Sequence, residues 1–179
     1  MNATEEIIDR TRRWIINVVI GCNFCPFAGH VVKRQLVFYQ VEESADLESS
    51  LVSFMSVVKR MDDDPSVETS FLILPNSFEK FDDYLDLVDV SEKLLKQKGY
   101  EGIYQVASFH PLYLFEGSVE NDPANYTNRS VYPMLHLLRE ESIDKALENY
   151  PDPESIPERN IQFTREKGLA YMKMLKDSI

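Results

Sequence analysis

The chain has 179 residues, of which 44% are hydrophobic and 27% are charged. This length fits one domain, and this balance is typical of a globular protein. The formal net charge of −11 disfavours nucleic acids and anionic membrane surfaces as partners, because both are bound by clustered Lys and Arg.

Two further features of the sequence indicate a cytoplasmic protein. No apolar run is long enough to cross a membrane, and the first residues, MNATEEIIDR, are polar and acidic rather than a secretory signal. We therefore expect Cys22 and Cys25 to stay reduced. We also expect the Asn-x-Ser/Thr triplets that start at Asn125 and Asn128 to be unglycosylated, so these triplets need another explanation.

The apolar pattern of the first part of the chain predicts helices and strands in turn. A helix is predicted over Glu5–Ile20, with Thr4 as its cap and Gly21 at its end. The apolar segment Arg34–Val41 predicts a strand, and a second helix is predicted over Ala45–Arg60.

The same alternation continues towards the middle of the chain. The apolar run Thr69–Pro75 predicts a strand that is covered on both faces. A long helix capped by Ser77 and a strand over Gly102–Phe109 follow. Strands that alternate with helices in this way are typical of crossover units. The expected fold is one α/β domain over residues 1–179, with a small, mainly parallel sheet of about three strands flanked by helices.

The segment from His110 to Arg129 is predicted to be irregular, and it is long for a passive connection. A helix is then predicted from Ser130, and a C-terminal helical segment opens with the capping spacing Ser155–Glu158. In open α/β sheets, ligands gather at the carboxyl ends of the strands. The irregular segment leaves from that edge, although polar residues also occur wherever strands simply stop.

The stretch NYTNRSVYPMLHLLRE, which starts at Asn125, predicts an anion site. If Ser130 caps a helix, the first free N–H groups of that helix lie beside the guanidinium of Arg129. A helix N-terminus and a guanidinium together form a typical anion-binding arrangement. The amides of Asn125 and Asn128 would add donors and acceptors to it.

The same helix would carry a polar face. Tyr132, His136 and Arg139 are spaced i, i+4 and i+7, so in a helix they share one side, away from the apolar side. We interpret this side as the wall of a polar cleft. Separate structural roles for each of these side chains are the alternative interpretation.

The segment GCNFCPFAGH contains Cys22, Cys25 and His30. A thioredoxin-like redox pair is disfavoured, because a helix is predicted before the motif and a strand after it. A zinc site would need further ligands, such as His110 or His136. Cys25 could also be a nucleophile paired with one of those histidines. The remaining interpretation is that both cysteines are small buried residues.

Three stretches carry a resemblance to a known family: NVVIGCNFCPFAG, SFHPLYLFEG and NYTNRSVYPMLHLLREESIDKAL. Together they resemble a bacterial family of unknown function, domain of unknown function number fourteen-fifteen. The chain departs from the family pattern at Cys22, where the family has an apolar residue, and at Val131, where it has proline. The residues that match are His110, Asn128, Arg129, Ser130, Tyr132 and His136. The resemblance implies a small cytoplasmic bacterial protein and supplies no activity.

The sequence therefore leads to a hypothesis with two alternatives. The leading hypothesis is an enzyme that acts on a small anionic molecule, with His110 or His136 as acid or base and Cys25 as a nucleophile. In this hypothesis the substrate is bound by Asn125, Asn128, Arg129, Ser130, Tyr132 and Arg139. The first alternative is a binding module without catalysis, and the second is a metal protein that uses Cys25 and the histidines.

Overall fold

The computed structural model describes residues 2–148 and 150–179. Its α-helices are α1 (Ala3–Trp14), α2 (Ala28–Lys33), α3 (Leu47–Asp63), α4 (Phe81–Gln97), α5 (Glu140–Glu148), α6 (Ile156–Lys167) and α7 (Leu169–Asp177). Its strands are β1 (Val37–Val41), β2 (Thr69–Ile73), β3 (Tyr104–Phe109) and β4 (Met134–Arg139). A π-helix over Ile15–Ile20 continues α1, and short 3-10 helices lie at Pro123–Thr127 and Pro153–Ser155.

The predicted α/β class with a small sheet flanked by helices is confirmed, and the sheet is mixed. Its strand order is β1-β2-β4-β3. β1 and β2 are parallel, whereas β4 is antiparallel to both of its neighbours. The three strands that the sequence predicted therefore run in one direction, as crossover units require. β4 is inserted between two of them in the opposite direction.

The helix predicted from Ser130 is wrong, because the chain forms strand β4 at Met134–Arg139 and begins α5 only at Glu140. The run MLHLLR is too short for periodicity to separate a buried strand from a helix. Pairing decides the outcome, since β4 is bonded along both edges, to β2 and to β3. Tertiary hydrogen bonds of this kind override a weak helical preference.

The two faces of the sheet carry separate hydrophobic cores. On one face, Leu72 and Leu135 pack with residues of α3 and α4. On the other face, Phe71 and Met134 pack with residues of α1, the π-helix and α7. We refer to the second as the α1 face. The sheet is thus the middle layer between two layers of helices.

The helix ends differ from the predictions in their capping residues. Asn2, not Thr4, caps α1: its side chain accepts from Glu5 N at 2.8 Å, and the Glu5 carboxylate accepts from Asn2 N at 2.9 Å. Likewise, α4 begins at Phe81 rather than just after Ser77, and Ser155 makes no capping bond to α6.

The connection before β1 contains an element that the sequence analysis missed. The segment Ala28–Lys33 forms α2, so the strand begins at Val37 rather than at Arg34. Gly21 follows the last residue of the preceding helical segment, as predicted. A Cβ at this position would lie 2.2 Å from the carbonyl oxygen of Asn17, so a larger residue does not fit there. No helix within the described residues is long and apolar enough to span a membrane.

Candidate functional site

A row of rings crosses the α1 face of the sheet. Tyr39, Phe71, His136 and Ala107 are paired in register on four neighbouring strands. The Tyr39 and Phe71 rings are stacked with centroids 5.8 Å apart, and the Phe71 and His136 rings with centroids 4.0 Å apart and 3° between their planes. Ala107 ends the row without a ring, so only one ring plane of His136 faces an aromatic neighbour within the row.

Thr69 determines which ring nitrogen of His136 carries the proton. The Thr69 hydroxyl donates to the carbonyl oxygen of Leu137 at 2.9 Å and lies 2.5 Å from His136 Nε2. A hydroxyl has one proton, so when that proton goes to Leu137 the imidazole must donate from Nε2 to Thr69. Nδ1 is then the unprotonated nitrogen and can accept a hydrogen bond or a proton.

The Nδ1 atom of His136 is unpartnered and only partly accessible to solvent. It makes no hydrogen bond to any described residue, and it is not one of the buried side-chain atoms that lack a partner. The surrounding sheet is open on the β3 side: Ala107 and Leu138 are partly exposed and Gln105 is exposed. We call this partly exposed stretch of the α1 face, beside Nδ1, the His136 opening.

Burial of the His136 imidazole strongly lowers its pKa. Desolvation lowers the pKa of His136 from 6.5 to about 3, because the charged form loses water and gains no carboxylate in exchange. At neutral pH His136 is therefore a neutral acceptor rather than a cation.

We expect His136 to make the stability of the fold depend on pH. Its folded pKa lies below its unfolded value, so its contribution is fully present above pH 6.5 and is lost as the pH falls towards about 3. Replacing His136 with Phe keeps the ring stacked on Phe71 and removes the titration. The slope of unfolding free energy against pH, measured by urea denaturation, should fall by up to about 1.4 kcal/mol per pH unit between pH 6.5 and about pH 5.

One comparison makes that measurement specific to His136. Burial also lowers the pKa of His110, so His110 supplies the part of the slope that remains in the variant. An unchanged slope in His136→Phe would mean that this imidazole is not desolvated in the fold.

His110 is fully buried and holds two loops together. Its Nδ1 accepts from Leu112 N at 3.0 Å, so Nε2 carries the proton and donates to the carbonyl oxygen of Phe78 at 2.8 Å. Its backbone N–H and carbonyl bond to Asn128 and Ser130. Both ring nitrogens are occupied, and no atom of the side chain is left for a ligand.

The side chains of Asn125, Asn128 and Ser130 also bond to the backbone. The Asn125 amide accepts from Phe115 N at 3.1 Å and donates to Val119 O at 2.9 Å. Asn128 donates to the carbonyl oxygen of Ser108, and Ser130 to that of Tyr132. These contacts explain the two Asn-x-Ser/Thr triplets as loop-closing residues.

Arg129 contacts carbonyl groups of the loop that precedes it. Its guanidinium donates to Tyr113 O and to Glu120 O, both at 3.0 Å, and lies over the Tyr126 ring. No helix begins beside it, so the predicted combination of a guanidinium with free helical N–H groups does not form. In place of free donors, the Ser130 N–H bonds to His110 O.

The three residues that were expected to share one helical face are separated by the strand. Tyr132 lies before β4 and its hydroxyl accepts from Arg10 at 3.2 Å. His136 faces the α1 side of the sheet, whereas Arg139 contacts the Tyr104 ring and hydroxyl on the other side. Of this set, the structure brings only His136 to an opening.

Cys22 and Cys25 lie in the turn that follows the π-helix, partly buried and with free thiols. Burial raises the pKa of the Cys22 thiol, although Lys167 opposes the shift. In the described part of the chain, no hydrogen bond joins Cys25 to His110 or His136. No three His, Cys, Asp or Glu side chains among the described residues converge to hold a metal ion.

Sequence reasoning missed Thr69 and Phe71, the residues that orient His136. Both lie in the buried apolar segment that forms β2, and such a segment is typical of the structural core. A period-two interpretation of MLHLLR would have placed His136 on the same face as Met134, opposite Leu135 and Leu137. The single imidazole on an apolar strand face was the signal available in the sequence.

Comparison with known proteins identifies a family. The family model described as "Protein of unknown function (DUF1415)" matches residues 6–174, which is most of the chain. It is the family that the three quoted stretches resemble. No curated protein and no solved structure matches the chain.

Proposed function

We propose that this chain, which belongs to the DUF1415 family of proteins of unknown function, acts on a small anionic molecule at the His136 opening. His136 is its acid–base group. The observation that supports this proposal is the unpartnered, solvent-reached Nδ1 of an imidazole whose other nitrogen is held by Thr69. This arrangement leaves one acceptor atom in a fixed orientation.

The chemistry that follows is a proton transfer. A substrate O–H, N–H or acidic C–H donates its proton to Nδ1, which leaves an imidazolium and a substrate anion, and the same proton can return in a later step. A pKa of about 3 makes the free imidazole a weak base. A negative charge on the bound substrate stabilises the imidazolium and raises this pKa, so an anionic substrate is the class that makes His136 effective.

The surroundings of the opening define the rest of the substrate. Ala107, Leu138 and Phe109 lie on the same sheet face and are partly exposed, so they offer apolar contacts beside the imidazole. The aromatic row continues inward to Phe71, which is only 5% exposed. The site therefore suits a small organic acid with a short apolar body, and benzoate and phenylacetate are the simplest probes.

Calorimetric titration tests the proposal. We expect benzoate or phenylacetate to bind wild-type protein with proton uptake at neutral pH, seen as a binding enthalpy that varies with the ionisation enthalpy of the buffer. Binding should strengthen as the pH falls, because the bound state takes up a proton. His136→Phe should abolish the proton uptake while it keeps the ring stacked on Phe71.

Two further variants test the roles of Thr69 and Arg129 in binding, and Arg129→Ala is the control. Thr69→Val frees the Nε2 proton, so the orientation of the imidazole is lost and binding should weaken. Arg129→Ala should leave binding unchanged if the opening at His136 is the site. The proposal would be overturned if Arg129→Ala lost benzoate binding while His136→Phe bound benzoate as the wild type does. That result would place the anion-binding site in the loop at Arg129.

A further inference from the structure

The first strand of the sheet, β1, has an open edge. Glu42 N, directly after the strand, donates to Ile73 O on β2 at 2.9 Å. Because backbone groups alternate in direction along a strand, the N–H and carbonyl groups of Val37, Tyr39 and Val41 point away from β2. No described residue forms a hydrogen bond with these outward groups.

The edge of β3, on the other side of the sheet, is closed at both ends. The bonding pattern with β4 leaves Tyr104, Val106 and Ser108 as its outward residues. Tyr104 N donates to the carbonyl oxygen of Tyr100 at 3.1 Å, and the Asn128 side chain donates to Ser108 O at 3.2 Å. The chain therefore covers most of this edge itself, whereas it leaves the edge of β1 uncovered.

The composition of β1 suits strand pairing. Its sequence, VFYQV, consists of β-branched, aromatic and amide residues, without charge, proline or glycine. Soluble proteins usually protect an edge strand with a charged residue, a proline, a bulge or a covering segment, because unpaired backbone groups attract a further strand. The β1 sequence contains no charged residue and no proline, so its outward backbone groups are available to another chain.

We propose that β1 pairs with β1 of a second copy of this chain, in antiparallel orientation and centred on Tyr39. In this register Tyr39 lies opposite Tyr39 of the second copy, and Val37 lies opposite Val41 of the second copy. Every outward N–H and carbonyl group of both strands then has a partner, and two four-stranded sheets join into one. The contact is closed, because each copy uses the same edge.

The charges at the two ends of β1 favour a second copy over an unrelated extended segment. Lys33 and Arg34 precede the strand, and Glu42 and Glu43 follow it. Antiparallel pairing brings the basic end of each copy to the acidic end of the other, whereas parallel pairing would bring like charges together. Arg34 and Glu43 are exposed, and neither forms an ion pair with a described residue. This local complementarity opposes the repulsion between two chains of net charge −11.

Sedimentation velocity, from micromolar to submillimolar concentrations, tests the proposal. We expect the wild-type chain to form a reversible dimer. Val41→Pro removes an outward N–H, keeps the bonds to β2, and should weaken dimerisation by about tenfold or more. Val106→Pro makes the same change on the edge of β3 and should leave the dimer as it is. Circular dichroism shows whether both variants keep the fold.

Charge reversal at the ends of β1 identifies the occupant without relying on the proline variants. Arg34→Glu and Glu43→Arg should each weaken self-association by about threefold or more, because like charges then meet at both ends of the paired strands. An equimolar mixture of these two variants should dimerise as the wild type does. In that mixed dimer each basic end again lies beside an acidic end.

Three results would overturn the proposal. One is a wild-type chain that stays monomeric over the whole concentration range, since β1 would then be open to a segment of another protein. Another is equal weakening by Val41→Pro and Val106→Pro, because dimerisation would not depend on which edge is changed. The third is a mixture of the two charge variants that dimerises no better than either variant alone.

Discussion

Replacing Trp14 with Ala should lower the free energy of unfolding by about 3–5 kcal/mol, the largest single effect that we expect. Trp14 is 0% exposed at the end of α1. Its indole Nε1 donates to Arg129 O at 3.1 Å, and its ring meets the Phe109 ring edge-on at a centroid distance of 5.1 Å. One side chain thus joins a helix, an edge strand and the loop after it.

Urea denaturation followed by circular dichroism measures this effect, because Trp14 is the only tryptophan and its fluorescence is lost in the variant. Trp14→Phe keeps most of the ring and removes the Nε1 donor, so it should cost less than Trp14→Ala. Ile16, 49% exposed on the π-helix, is the control, and Ile16→Ala should change stability by less than about 0.5 kcal/mol. A Trp14→Ala cost near that of the control would show that α1 is not anchored through this residue.

The parts of the fold that the sequence predicted are those with strong local signals. The helix that includes Trp14 has an apolar stripe of helical period, and Thr69–Ile73 is a continuous apolar run bounded by breaking residues. Both patterns are properties of the chain itself. Strand β4 has no such signal, since Met134–Arg139 is defined by the two strands that flank it. A structure that depends on long-range pairing cannot be inferred from a window of residues.

The loop from His110 to Ser130 gives a structural role to polar residues that the sequence analysis assigned to a binding site. A long irregular segment that is partly buried must satisfy its backbone N–H and carbonyl groups without a regular ladder. Side chains with several donors or acceptors meet this need, as Asn125 and Arg129 do. Sequence shows that such groups are present, but it does not show whether their partners are a ligand or the loop itself.

His136 remained a candidate for a different reason from the one that the sequence suggested. The helical interpretation placed it beside Arg139, whereas strand geometry puts the two on opposite faces. The residues that prepare it, Thr69 and Phe71, are separated from it by more than sixty positions along the chain. Only the pairing of β2 with β4 brings these three side chains together, which is why residue types alone could not define the site.

Arg139, assigned to a binding face from the sequence, should instead have a large effect on stability. Pro65 has no N–H, so the carbonyl oxygen of Met61, near the end of α3, has no helical partner. Arg139 Nη2 donates to Met61 O at 2.7 Å and to Val67 O at 3.1 Å, and Nη1 donates to the Tyr104 hydroxyl. The guanidinium therefore completes the end of a helix and the turn after it.

Arg139→Met retains the length of the side chain and removes every donor, and we expect it to cost about 3 kcal/mol of unfolding free energy. Arg139→Lys can replace at most part of the fork and should recover less than half of the loss. Tyr104→Phe removes the other side of one bond, so the double variant should cost less than the sum of the two single variants. Additive costs would show that the bond between Arg139 and Tyr104 does not contribute to stability. A change in benzoate binding without a change in stability would instead assign Arg139 to a ligand. Coupled costs with unaltered binding would make this arginine the support of the turn between α3 and β2.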